Sequence, residues 1–168
     1  MQYENAVRAR LFPCPRKIWL SEGFCVLDCG VPVELAGAGD ADMVEKAFAG
    51  YWNAKAIVRH SGGSGLSGEA CRIDVSRGGI RIESGSGSAL RYALLTLRQM
   101  AEMERGRPGV VRSLLPCCRI EDSPACAFRA IHFCIMPESD PCRIESSIRM
   151  AAYCKYNHVI LEPWGVFP

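Results

Sequence analysis

Near its end the chain carries the apolar run Val159-Ile160-Leu161, entered by His158 and closed by Glu162, with Trp164 two residues further on. A carboxylate that closes a buried strand can serve as a general acid or base, or can accept hydrogen bonds from ligand hydroxyls. An indole beside it can stack on a sugar or another flat ligand. The alternative for Glu162 is a rim residue that meets solvent or pairs with an arginine. His132 lies inside a second apolar run, Arg129–Met136, and reads as a satisfied core histidine; His158 begins its strand, away from any active end. Cys134 and Cys154 sit in apolar surroundings and read as small buried hydrophobes. The ten cysteines and three histidines contain no Cys-x-x-Cys pair, so linear spacing predicts no metal site. Nothing calls for a cofactor. Unpaired thiols suit a reducing, cytoplasm-like compartment.

A further candidate is Gly85-x-Gly87, which follows a strand and opens a helix. A dinucleotide fingerprint needs a third glycine where Leu90 stands, so a glycine-rich turn is the simpler reading.

These residues need elements to hold them. Lys17–Leu20 and Phe24–Leu27 read as two short strands around a Ser21-Glu22-Gly23 turn, and Val31–Gly37 as a third. Asp40 can cap a helix to about Ala54, with Val44, Ala47, Phe48 and Tyr51 on its apolar stripe. Ile57-Val58 is a brief strand, and the Gly/Ser-rich stretch 61–70 reads as a flexible surface loop. Ile73 and Val75, then Ile80 and Ile82, alternate with polar neighbours around Arg77-Gly78-Gly79: a hairpin with one covered face. The next helix carries Leu90, Ala93, Leu94, Leu97 and Ala101 on one side and stops at Gly106–Gly109. Cys117–Asp122 reads as one more edge strand. An order close to β-α-β-β-α-β predicts an α+β domain over 1–118, a small mixed sheet with two helices on one face.

From 119 to 168 the pattern changes. Arg129–Met136 is a continuous apolar strand; Asp140 can cap a helix with Pro141 at its first position, striped by Ile144, Ile148, Ala151 and Ala152; and His158–Glu162 is again continuous. Strand, helix and strand within ~30 residues make a βαβ unit, and unbroken apolar strands belong to a parallel sheet covered on both faces. Such a unit is the opening of a β/α barrel or a doubly wound sheet, and the chain is expected to be the front part of a larger enzyme.

Composition bounds the function classes. With 49% hydrophobic and 23% charged residues among 168, the chain is globular. A net charge of +2, with lysines and arginines scattered, gives no nucleic-acid footprint. No stretch reaches the ~18 apolar residues of a membrane span, and the N-terminus shows no apolar signal region.

Several short motifs, in order, resemble the front of family 20 glycoside hydrolases, the β-N-acetylhexosaminidases: Pro13-Cys14-Pro15, the strand-turn-strand-helix block ending in Thr96-Leu97-Arg98-Gln99, Ile120-Glu121-Asp122-Ser123-Pro124 before Arg129, and Tyr153–Asn157 before the second parallel strand. The resemblance implies a non-catalytic α/β domain followed by the first β/α/β of a (β/α)8 barrel. It implies that Arg129 binds sugar hydroxyls, to which a planar guanidinium fork is suited, and that Glu162 and Trp164 line the pocket. The family's catalytic Asp–Glu pair lies on a later barrel strand, so no catalytic residue is expected here and the segment alone is expected to be inactive. The partner implied is a carbohydrate with terminal N-acetylhexosamine. Three departures stand out: Ala130 where the family has Gly, Cys134 where it has Asp, and Ile160-Leu161-Glu162 where it has a His-rich run. The rival readings are a free-standing interaction module that self-associates through the exposed βαβ edge, and a nucleotide-binding protein using Gly85–Ser88.

Overall fold

The structure, a computed structural model, describes residue 5 and residues 7–105 and 113–165, leaving aside the side chains of 29 and 102–105. The chain forms two compact units, Met1–Pro124 and Ala125–Pro168. The first holds strands β1 (Lys17–Leu27), β2 (Cys29–Gly37), β3 (Lys55–His60), β4 (Cys71–Ser76), β5 (Gly79–Ser84) and β6 (Ser113–Asp122), with helices α1 (Ala41–Trp52) and α2 (Gly87–Arg105). The second holds β7 (Ala130–Ile135), α3 (Pro141–Tyr153) and β8 (His158–Pro163). This is the α+β architecture expected. Because β6 runs through Asp122, the first unit extends past residue 118. The expected stop at Gly106–Gly109 lies outside the described residues.

The six strands run β1-β6-β4-β5-β2-β3. The β1–β6, β6–β4 and β4–β5 pairs are antiparallel; β5–β2 and β2–β3 are parallel. Two expectations are corrected. The stretch Lys17–Leu27 is one strand with an irregularity between Leu20 and Phe24, because both halves pair with the same partner, β6. And β6 is interior, flanked by β1 and β4. Its burial explains the position: Leu115, Cys117, Cys118 and Ile120 are all buried, as an edge strand would not require.

Strand register gives the sheet two chemically distinct faces. Ile73 sits opposite Ile82 and Ile120, and Val33 opposite Ile80, so Val33, Leu35, Ile73, Val75, Ile80, Ile82 and Ile120 form one apolar surface. Val44 and Phe48 of α1 and Leu90, Leu97 and Met100 of α2 complete that core and are fully buried. On the other face charges alternate across strands. Arg81 pairs with Glu34 and with Glu83 at 3.0 Å, Arg72 with Glu83 at 2.9 Å, and Arg119 with Glu121 at 3.2 Å. A hydrogen bond from Ser61, backed by Arg81, holds the Glu34 carboxyl below its usual range.

The Gly/Ser-rich segment is pinned to the sheet. Gly37 N–H donates to the Gly62 carbonyl at 2.9 Å, Ser64 Oγ to the Ser84 carbonyl at 3.0 Å, and Gly85 N–H to the Ala70 carbonyl at 3.0 Å. A Cβ on Gly85 would lie 2.6 Å from the Ser67 carbonyl carbon, so this glycine is required for close backbone approach.

In the second unit β7 and β8 pair in parallel, Ala130 opposite His158 and Cys134 opposite Glu162. Asp140 caps α3 by accepting from Cys142 N–H at 2.9 Å, with Pro141 at the first turn.

Candidate functional site

The entry to the parallel pair is built by Arg129 and Asn157. Arg129 N–H donates to Asn157 Oδ1 at 2.9 Å, and Asn157 Nδ2 donates to the Ala127 carbonyl at 2.7 Å. The amide N–H groups of Asn157 and His158 both donate to the Arg129 carbonyl, at 2.9 and 3.1 Å. The Arg129 side chain closes the arrangement: Nε donates to the Lys155 carbonyl at 3.0 Å and Nη1 to that of Cys126 at 2.6 Å. Lys155 presents that carbonyl from a left-handed conformation, φ 63°. The Lys-x-Asn step and the arginine are thus a single clamp that starts both strands in register.

Glu162 and Trp164 lie at the opposite, carboxyl end, where α/β architectures of this kind gather their chemistry. Trp164 N–H donates to the Ile135 carbonyl at 2.7 Å, extending the ladder past the strand, and the indole is 53% exposed. Glu162 is not alone. His132 Nε2 lies 3.0 Å from its Oε2, and Cys134 Sγ lies 3.7 Å from the same oxygen. The structure therefore brings Glu162 together with His132 and Cys134, and leaves Arg129 at the other end of the strands.

His132 and Cys134 depart from expectation, since both are exposed instead of buried in a core. Burial along β7 alternates, with Ile131, Phe133 and Ile135 partly covered and His132 and Cys134 open. A continuous apolar strand promises two covered faces; one face here carries an imidazole, a thiol and, across the register, a carboxylate. Part of the signal was available in the sequence, since positions 132 and 134 must share a face in any strand; the pairing of Cys134 with Glu162 needed the register of the structure. Cys154 is partly buried, and burial raises its thiol pKa. His158 stands at the amino end, as its position implied, its ring tilted against Phe128 with centroids 4.6 Å apart.

The first unit has a broad depression of about 930 Å³ over its charged face, lined by residues including Trp19, Glu34, Arg59, Asp74, Arg81 and Arg119. Arg81, Glu34, Arg119 and Asp74 are mutually paired there. At the Gly85 turn Ser86 caps α2 by accepting from Ala89 N–H at 3.2 Å, so Gly85 serves packing and the serine serves the helix end.

A mixed sheet backed by two helices, followed by a parallel β/α/β unit, is a fold shared with solved β-N-acetylhexosaminidases. No family model and no curated protein matches the chain. Among solved structures it is similar to the N-acetyl-β-hexosaminidase of Streptomyces plicatus, with a TM-score of 0.72 and 20% identity over 92% of this chain and 34% of that one. The β-N-acetylhexosaminidase of Streptomyces coelicolor A3(2) aligns with a TM-score of 0.72 at 22% identity, again over 92% and 34% of the two chains. The exo-β-N-acetylglucosaminidase of Vibrio harveyi, solved with N-acetylglucosamine, gives 0.68 at 21% identity over 92% and 25%. At such identities the likeness is one of fold. The chain spans a quarter to a third of the length of these enzymes.

Proposed function

We propose that this chain supplies the non-catalytic α/β domain and the first β/α/β of a glycoside hydrolase that removes terminal N-acetylhexosamine units. One observation supports the reading above others: 92% of the chain aligns with a solved hexosaminidase at a TM-score of 0.72. In this proposal the paired carboxyl groups that cleave the glycosidic bond come from barrel strands other than β7 and β8. Glu162 and Trp164, at the carboxyl end of their strand, line the sugar pocket, while Arg129, at the opposite end, holds the two strands in register. Its Nε and Nη1 are given to the Lys155 and Cys126 carbonyls at the strand entry.

The test uses an antibody raised against the 168-residue chain to capture the native protein from its source cells. The captured protein is expected to be several times heavier than 18.4 kDa and to hydrolyse aryl N-acetylhexosaminides, whereas the 168-residue chain alone shows no turnover. Captured protein of 18.4 kDa without activity overturns the proposal.

A second reading, an interaction module, draws support from the exposure of β8. Val159, Ile160, Leu161 and Trp164 are 40–53% exposed, a row of apolar side chains that asks for cover.

A further inference from the structure

His132, Cys134 and Glu162 offer an imidazole nitrogen, a thiol sulfur and a carboxylate oxygen, and all three donor atoms lie within 4.8 Å of one another. We infer that these residues form a binding site for a borderline-soft divalent cation of the Zn²⁺ class. The inference goes beyond the glycosidase reading and does not depend on it.

Four features carry it. The first is distance. Ligand bonds of about 2.0–2.3 Å in a tetrahedral site set donors roughly 3.3–3.8 Å apart. The Cys134–Glu162 separation, 3.7 Å, falls in that range, and the His132–Glu162 separation, 3.0 Å, is a few tenths of an ångström short of it. The second is charge. A thiolate and a carboxylate with a neutral imidazole sum to two negative charges, which a dication balances; without it, a thiolate would be repelled by the adjacent carboxylate. The third is donor chemistry. Sulfur and imidazole nitrogen select against Mg²⁺ and Ca²⁺, which prefer all-oxygen shells, and suit Zn²⁺. The fourth is rigidity. His132 and Cys134 are two apart on β7, and Glu162 faces Cys134 in the register of β8, so the backbone ladder fixes the spacing of all three.

With three protein ligands and exposed surroundings, the remaining tetrahedral position falls to water or a ligand oxygen, the arrangement of open zinc sites as opposed to closed structural ones.

The test is a metal titration of the 168-residue chain, stripped with chelator and reduced. Cobalt(II) is the optical probe and Zn²⁺ the competitor, followed by absorbance and calorimetry. One equivalent is expected to bind with proton release and a thiolate-to-cobalt charge-transfer band, and Zn²⁺ should abolish that band. Cys134→Ser should remove the band. His132→Ala and Glu162→Gln should each weaken Zn²⁺ binding about tenfold or more, the loss that even outer-shell changes can cause. Cys126→Ser and Cys142→Ser, at other exposed thiols, should change neither. Circular dichroism checks that each variant folds; if Cys134→Ser does not, the His132→Ala affinity decides. A band that survives Cys134→Ser, one that vanishes in Cys142→Ser, or no stoichiometric binding would each overturn the site and leave a hydrogen-bonded cluster.

Discussion

Arg129 shows how a residue can serve the backbone where a ligand role was expected. Its Nε and Nη1 donate to carbonyls on both sides of the strand pair, at 3.0 and 2.6 Å. Truncation leaves those carbonyls without charged donors. Arg129→Ala is therefore expected to destabilise the second unit by about 1–3 kcal/mol, a typical worth for hydrogen bonds from charged groups. Faster amide hydrogen exchange in β7 and β8, with unchanged exchange in β4 and β5, would register it. Under the glycosidase proposal any loss of efficiency of the same variant in the full enzyme is expected to track its folded fraction. Sequence reasoning assigned Arg129 only the ligand role. The clamp was invisible because it depends on Lys155 turning left-handed, which no spacing announces.

At the scale of elements, the loop 61–70 and strand β6 make the sharpest claims. Gly85→Ala would press a methyl group against the Ser67 backbone at 2.6 Å. We expect a cost of about 1–3 kcal/mol, as for other overpacked sites, read as a lower urea midpoint with unchanged slope. Cys118 sits inside β6, and burial, then Cys117 and Asp74, push its thiol up to about 12; burial above all carries Cys25 to about 11. A thiol whose pKa is raised on folding stabilises the protein fully below its unfolded value and loses that contribution as pH climbs through the folded value. Stability should accordingly fall between the ordinary thiol value of 9.0 and about 12. Alanine at both positions should flatten that alkaline fall in denaturation midpoints measured across the range. A pH dependence unchanged by the double substitution would sink the assignment.

The whole molecule is uneven. The first unit packs its core around fully buried Phe48, Ile73, Ile82, Leu90 and Leu97, whereas among the described residues of the second unit only Ala151 and Lys155 are buried. An apolar strand such as β8, open along Val159–Leu161, tends to find a partner. Studied alone, the 168-residue chain is expected to self-associate with rising concentration in sedimentation experiments. Leu161→Lys, at a residue 52% exposed, should return it to the monomer. A chain that stays monomeric at all concentrations would show that this surface needs no cover.

Local pattern by itself determined most of the elements. Asp40 and Asp140 appear as helix caps, Ile73, Val75, Ile80 and Ile82 as one face of a hairpin, and the βαβ unit follows from two unbroken apolar runs around an amphipathic helix. These features rest on periodicity and capping chemistry, which act over a few residues. What the tertiary structure alone decided were relations between distant segments. The β1 halves became one strand because both pair with β6, and β6 became interior because β1 crosses to its free side. His132, Cys134 and Glu162 became a cluster because parallel register aligns Ala130 with His158. Ligand spacing rules count along the chain, whereas a strand pair assembles donors across hydrogen bonds 28 residues apart, as between Cys134 and Glu162. Strand order and register are set by the packing of the whole sheet, and no local run of residues carries that information.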